Sequence, residues 1–207
     1  MNNNPKADQQ WKNILDVDAL KGSIKVISLF IMVYELLEDS IVSKPKDFYT
    51  IIEYDKKAQQ EYKEKVLSLY DKDVCPEVPG SRRDLISSLI WFKNWGAIND
   101  GDIQVFASSK RLRNKLTHEM LLSIADGAEE VVEQFAQMYA LFCKIEKWWI
   151  LEYEIPIDPD IPTLSDDDKN NVLSGNMIVL DVIMDILANN SNANFNEICE
   201  KIGVKVK

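Results

Sequence analysis

Lys110-Arg111-Leu112-Arg113-Asn114-Lys115-Leu116-Thr117-His118-Glu119 is the stretch from which the rest of the chain is read. Leu112 and Leu116 continue an apolar stripe that begins at Val105 and runs through Met120 to Ile124, the spacing of a helix with one buried face. The stretch holds the only histidine in 207 residues and two of the four arginines, the others being the adjacent Arg82 and Arg83. Four positive charges between Lys110 and Lys115 stand out in a chain whose net charge is -10. Arginine offers phosphate a planar, permanently charged, two-toothed partner, and histidine can take and give a proton near neutral pH. Together they supply what cleavage of a phosphodiester by acid–base chemistry requires.

Arg113-Asn114, followed after three residues by His118, resembles the signature of the HEPN family, the higher eukaryotes and prokaryotes nucleotide-binding domain. In that family an Arg followed directly by a polar residue, often Asn, precedes a His by a few residues on a helix of a small all-α bundle. The resemblance rests on about six residues. It implies a metal-independent endoribonuclease that works as a homodimer on RNA, in toxin–antitoxin, antiviral or stress responses, with a neutralising antitoxin as a further partner. By the same resemblance Arg113 holds phosphate, Asn114 orients His118 or phosphate, and His118 moves the proton. Lys110, Arg111 and Lys115, with Arg82 and Arg83, then steer the RNA. Two arginines fit the spacing. The dipeptide selects Arg113, whereas helix geometry puts Arg111, Asn114 and His118 at i, i+3 and i+7 on one face and turns Arg113 toward Leu112 and Leu116. A HEPN-like module that binds nucleotide or a partner without cleaving has the same sequence signature, and an acidic helical scaffold that meets a basic partner needs no motif.

The whole chain agrees with a helical reading. Apolar residues make up 46% and charged residues 28%, the balance of a water-soluble globular protein, and seven Gly and seven Pro are too few turn residues for an all-β fold. The longest charge-free run of the first long helix, Val26 to Tyr34, is far short of the ~20 residues that cross a bilayer. The first residues lack a basic segment followed by an apolar core, so the expectation is no secretory signal and no membrane. Cys75, Cys143 and Cys199 are odd in number and far apart, which suits free thiols in a reducing cytoplasm. Net negative charge confines any RNA to a small basic site on a repelling body.

Taken in order, residues 1–17 read as a polar, mobile segment carrying Trp11. A helix then runs from Asp18 to about Ser43, apolar nearly all round, interrupted by Gly22 and ended by Pro45. A second helix is expected from Asp55 to about Leu69, and a Pro- and Gly-bearing loop from Asp71 to Ser81. Arg82-Arg83 opens a third helix through Trp95, with Leu85, Ile86, Leu89, Ile90, Phe92 and Trp95 apolar; Trp91, Phe92 and Trp95 are assigned to the core rather than to base stacking. Asn99-Asp100-Gly101 reads as a turn and Asp102 as the cap of the motif helix that follows, which runs to about Ile124 and stops at Asp126-Gly127. A long helix follows from Ala128 to Tyr153, giving a HEPN-like antiparallel bundle over residues 18–154. Residues 155–207 read as an acidic, Pro-containing linker and a C-terminal helical appendage. In it Ser165-Asp166-Asp167-Asp168 starts a helix to Ala188, and Phe195, Ile198 and Ile202 mark a last short one.

Other chemistries find no pattern. No paired Cys or His at zinc spacing occurs, nor a phosphate-binding G-x-x-x-x-G-K, a dinucleotide-binding G-x-G-x-x-G, or a nucleophile elbow. The expectation is therefore a site without metal or cofactor.

Overall fold

A computed structural model of the chain describes residues 5–49, 70–75, 83–161 and 164–189. The expected helix from Asp55 to Leu69, Arg82, Cys199 and the expected last helix lie outside the described residues, as does the side chain of Arg83. Among the described residues every regular element is helical. The elements are α1 (Pro5–Leu15), α2 (Val17–Phe48), α3 (Arg83–Asn94), α4 (Asp100–His118), α5 (Met120–Asp126), α6 (Glu129–Trp149), α7 (Asp166–Asn170) and α8 (Gly175–Asn189). A π-helical turn, Ile150–Glu154, and a last α turn, Ile155–Ile157, prolong α6.

Helix α2 is the spine. Its Ile27, Phe30, Val33, Tyr34, Leu37 and Ile41 are each at most 2% exposed and repeat at helical spacing, so they form one buried face against the other helices. Ile24 and Met32 lie outside that face and are exposed, so the helix is not buried all round as its composition suggested. The helix is capped by Asp16, whose carboxylate accepts from the Asp18 and Ala19 amides. It also runs through Pro45 rather than ending there. Proline removes one donor and strains one turn, but Phe48 anchors the following turn among the rings of Trp91, Trp95 and Tyr153, and Lys46 bonds Asp84 of α3. Tertiary packing outweighs the local penalty.

Side-chain pairs fix the directions of the three central helices. Between α4 and α6, Asp102 meets Lys144, Ser109 meets Gln134 and Lys115 meets Glu130, so the two run in opposite senses. Between α2 and α6, Ser40 meets Glu146 and Phe48 meets Tyr153, so these run in the same sense. Helix α3 ends in a left-handed Gly96, with Ala97 N–H bonded to the Phe92 carbonyl and Gly96 N–H to that of Lys93. Leu85, Leu89, Trp91 and Phe92 are buried, while Ile86, Ile90 and Trp95 are exposed.

Two further differences from the sequence reading have physical causes. Residues 5–15 are not a featureless segment, because α1 docks on the end of α5 through polar groups. Gln10 donates to Asp126, Asn13 donates to the Ala125 carbonyl, and Lys6 pairs with Asp126, leaving Trp11 62% exposed. Ala7, Trp11, Ile14 and Leu15 do recur at helical spacing, but among so many polar residues that the segment reads as solvated. Helix α8 packs on the main core, where Met177 and Leu180 are buried, and Tyr139 of α6 donates to Asp181. The helix expected from Asp168 to Ala188 is two helices. Ser165 and Asp168 form a reciprocal capping box that starts the five-residue α7, and α8 begins only at Gly175.

Candidate functional site

Helix α4 carries the motif, and its ends are set locally. Asn99, not Asp102, is the N-cap: its side-chain oxygen accepts from the Asp102 amide while Asp102 accepts from the Asn99 amide. At the other end Thr117 Oγ1 donates to the carbonyls of Arg113 and Asn114, at 3.1 and 3.0 Å, a back-bonding that loosens the helix beneath it. Glu119 leaves helical geometry with φ -127° and ψ 34°, so the helix stops at His118 and α5 begins anew at Met120. The proton-transfer candidate thus sits on the last residue of a helix, beside a break, instead of within the longer helix expected.

His118 is exposed and makes no hydrogen bond among the described residues. Helical spacing puts Arg111 and Asn114 on its face. Arg111 is exposed, donates from Nη2 to Ser108 Oγ at 3.0 Å and makes no ion pair among the described residues. Arg113, roughly 140° round the helix from His118, is turned to α2. Its Nε and Nη2 both donate to one oxygen of Glu35, Oε1, at 3.0 and 2.5 Å, and the guanidinium lies 5.5 Å from the Tyr34 ring centroid. The Tyr34 ring in turn stacks on Phe106. Burial, and after it the neighbouring Glu38 carboxylate, push the Tyr34 phenol well above its ordinary value, and the bonds Arg113 donates to Glu35 raise the guanidinium above its own. The last donor, Nη1, reaches Asn114 Oδ1 at 3.5 Å.

Lys115 is also countered from within: its Nζ bonds Glu130 Oε2 at 2.7 Å, and that bond leads the rise of its pKa. Lys110 lies over Phe106 at 5.8 Å. The structure therefore brings Arg111, Asn114 and His118 to one face and turns Arg113 away to α2. Of the pair Arg82 and Arg83 only the Arg83 backbone is described, at the start of α3. Glu35 and Glu130 are the functional neighbours that sequence reasoning missed. They come from other helices, 78 and 15 residues away from the cations they meet, and only the tertiary packing reveals them.

Elsewhere the acidic run Asp166–Asp168 is accounted for by the start of α7. The bonds from Ser165 hold Asp168 below the usual carboxylate range. Among the described residues no group of three His, Cys, Asp or Glu side chains is set to hold a metal ion, and no helix is long and apolar enough to cross a membrane. No protein-family model, curated protein or solved structure matches this chain.

Proposed function

We propose that this protein is a HEPN-like, metal-independent endoribonuclease that acts at the C-terminal end of α4. The observation that carries the reading is the face shared by exposed Arg111, half-buried Asn114 and exposed His118, on which Arg111 makes no ion pair among the described residues. An RNA 2′-oxygen loses its proton and attacks the adjacent phosphorus. The bond to the 5′-oxygen breaks, and the leaving oxygen takes a proton, giving a 2′,3′-cyclic phosphate and a 5′-hydroxyl. His118 serves one of these proton transfers. Arg111 holds the non-bridging oxygens as charge gathers on them. Asn114, one turn before His118, orients it or the phosphate. Arg113 is the family-dipeptide residue, but its guanidinium is seated on Tyr34 and Glu35, so as the chain stands Arg111 is the better-placed of the two.

One histidine cannot serve as both acid and base in a single pass, so a second copy of the chain supplies the other. Met120, Leu121 and Leu122 support a contact at this end, since they begin the helix after the Glu119 break beside His118 and are 44%, 74% and 47% exposed. A toxin, antiviral or stress role, with a protein that neutralises it, belongs to the same reading. The test is incubation of the purified protein with end-labelled RNA in EDTA, beside DNA of the same sequence. The reading expects RNA cleavage with cyclic-phosphate ends, intact DNA, and activity that falls on dilution as the dimer dissociates. Cleavage of DNA, or activity that needs Mg²⁺, would overturn it. Tight RNA binding with no cleavage would leave a binding module.

A further inference from the structure

We propose that Glu35 is a built-in competitor for phosphate, holding Arg113 out of the site until a bound strand displaces it. The inference rests on the reading that the end of α4 receives phosphate. It begins from how the guanidinium is engaged. One face lies over the ring of Tyr34, itself only 1% exposed. The Nε–Nη2 edge, one of the two edges with which an arginine can grip a phosphate, is taken by a single carboxylate oxygen. Nη1 leans to Asn114, so this corner of the guanidinium abuts a residue on the face of His118. Arg113 is therefore beside the site, aimed at it by one donor and withheld from it by the others.

The carboxylate that withholds it is not built in as a fixed strut. The side chain of Glu35 is 52% exposed and that of Arg113 32%, and ion pairs this open to water are weak and screened by salt. Glu38 also acts electrostatically on the same guanidinium, so two carboxylates neighbour Arg113 and oppose a phosphate there. A phosphodiester, like Glu35, presents anionic oxygens that the Nε–Nη2 edge can grip. Several contacts elsewhere along a strand would let it win that exchange, whereas a lone phosphate would not. The consequence is a site that discriminates against free phosphate and mononucleotides in favour of a polymer.

The test uses the full chain and a single-stranded 2′-O-methyl oligonucleotide, which binds but lacks the nucleophile. Glu35→Gln keeps the shape and removes the charge. It should bind the oligonucleotide about three- to ten-fold more tightly, and the slope of log affinity against log salt should steepen by about 0.7, one extra phosphate contact on a single strand. Arg113→Gln should cancel the gain when combined with Glu35→Gln. Should Glu35→Gln fail to fold, the Arg113 Nε–Hε resonance of the wild-type protein should move on adding the oligonucleotide and stay still with inorganic phosphate. Unchanged affinity and slope in Glu35→Gln, a gain that survives loss of Arg113, or an unmoved Arg113 resonance would each overturn the proposal. Tighter binding without RNA cleavage would support the competitor and sink the ribonuclease, whereas cleavage with a silent Glu35→Gln would do the reverse.

Discussion

Removing the ammonium of Lys44 should cost this protein several degrees of thermal stability, because it strands a carboxylate in the core. Glu146 of α6 is 2% exposed, and one of its oxygens, Oε1, receives Ser40 Oγ at 2.8 Å and faces Lys44 Nζ at 3.1 Å. Lys44 is itself 14% exposed and sits 5.3 Å from the Trp149 ring centroid. Breaking a buried pair on one side typically costs 3–5 kcal/mol. Here Ser40 still donates one bond to the carboxylate, so the lower end, about 3 kcal/mol, is expected for Lys44→Met, which keeps the stem packed on Trp149. At about 2–4 °C per kcal/mol for a chain of this size, the Tm should fall by roughly 6–12 °C. Lys44→Met with Ser40→Ala and Glu146→Leu replaces charge and hydroxyl by apolar groups and should recover to within about 1 kcal/mol of wild type. Urea titration followed by far-ultraviolet circular dichroism measures both. A loss below about 1 kcal/mol in Lys44→Met would show that Glu146 is not a paired buried anion, and the packing of α2 on α6 would need revision.

The two arginines should separate cleanly in RNA cleavage. Arg111→Lys should lose about 10²- to 10³-fold in rate, because an ammonium cannot replace the planar fork, while Arg113→Lys should lose less than tenfold; the opposite ranking would restore the dipeptide residue to the centre. Asp126, held below its usual range first by the Gln10 bond and then by Lys6, ties α1 to α5. A depressed carboxylate contributes stability present above its unfolded value and lost as pH falls through its folded one. Hydrogen exchange in residues 5–15 should therefore quicken below the ordinary carboxylate range, and Asp126→Asn should quicken it at neutral pH. Burial pushes the Cys143 thiol up, so alkylation at pH 8 should be slower than for an unfolded peptide thiol and should speed up in urea.

What could be read from the sequence was what local periodicity controls. Leu85, Leu89, Phe92, Leu112 and Leu116 fall on apolar stripes of the sequence and are buried. The helical class follows from those stripes, and the Ser165 cap followed from its side chain and the acids after it. Pro45 and α1 misled for opposite reasons. Proline's local penalty is outweighed by rings contributed from residues 91, 95 and 153, and α1 docks through amides and an ion pair while its Trp11 and Leu15 stay exposed. The break at Glu119 escaped notice because it has neither Gly nor Pro, only Thr117 bonding back to two carbonyls. In the candidate site, the shared face of Arg111, Asn114 and His118 followed from helical spacing alone. Which cations are neutralised did not, because Glu35 and Glu130 reach them through tertiary packing.

The most direct measurement is the rate of RNA cleavage, in EDTA, by wild type and His118→Gln at matched concentration. Because His118 is exposed and unbonded among the described residues, the substitution should leave the Tm within about 1 °C, as surface changes generally do. The cleavage rate should fall by roughly 10²- to 10⁴-fold, the usual share of a general acid or base, while affinity for the uncleavable oligonucleotide stays within about twofold. A folded His118→Gln protein that cleaves RNA at the wild-type rate would contradict the account.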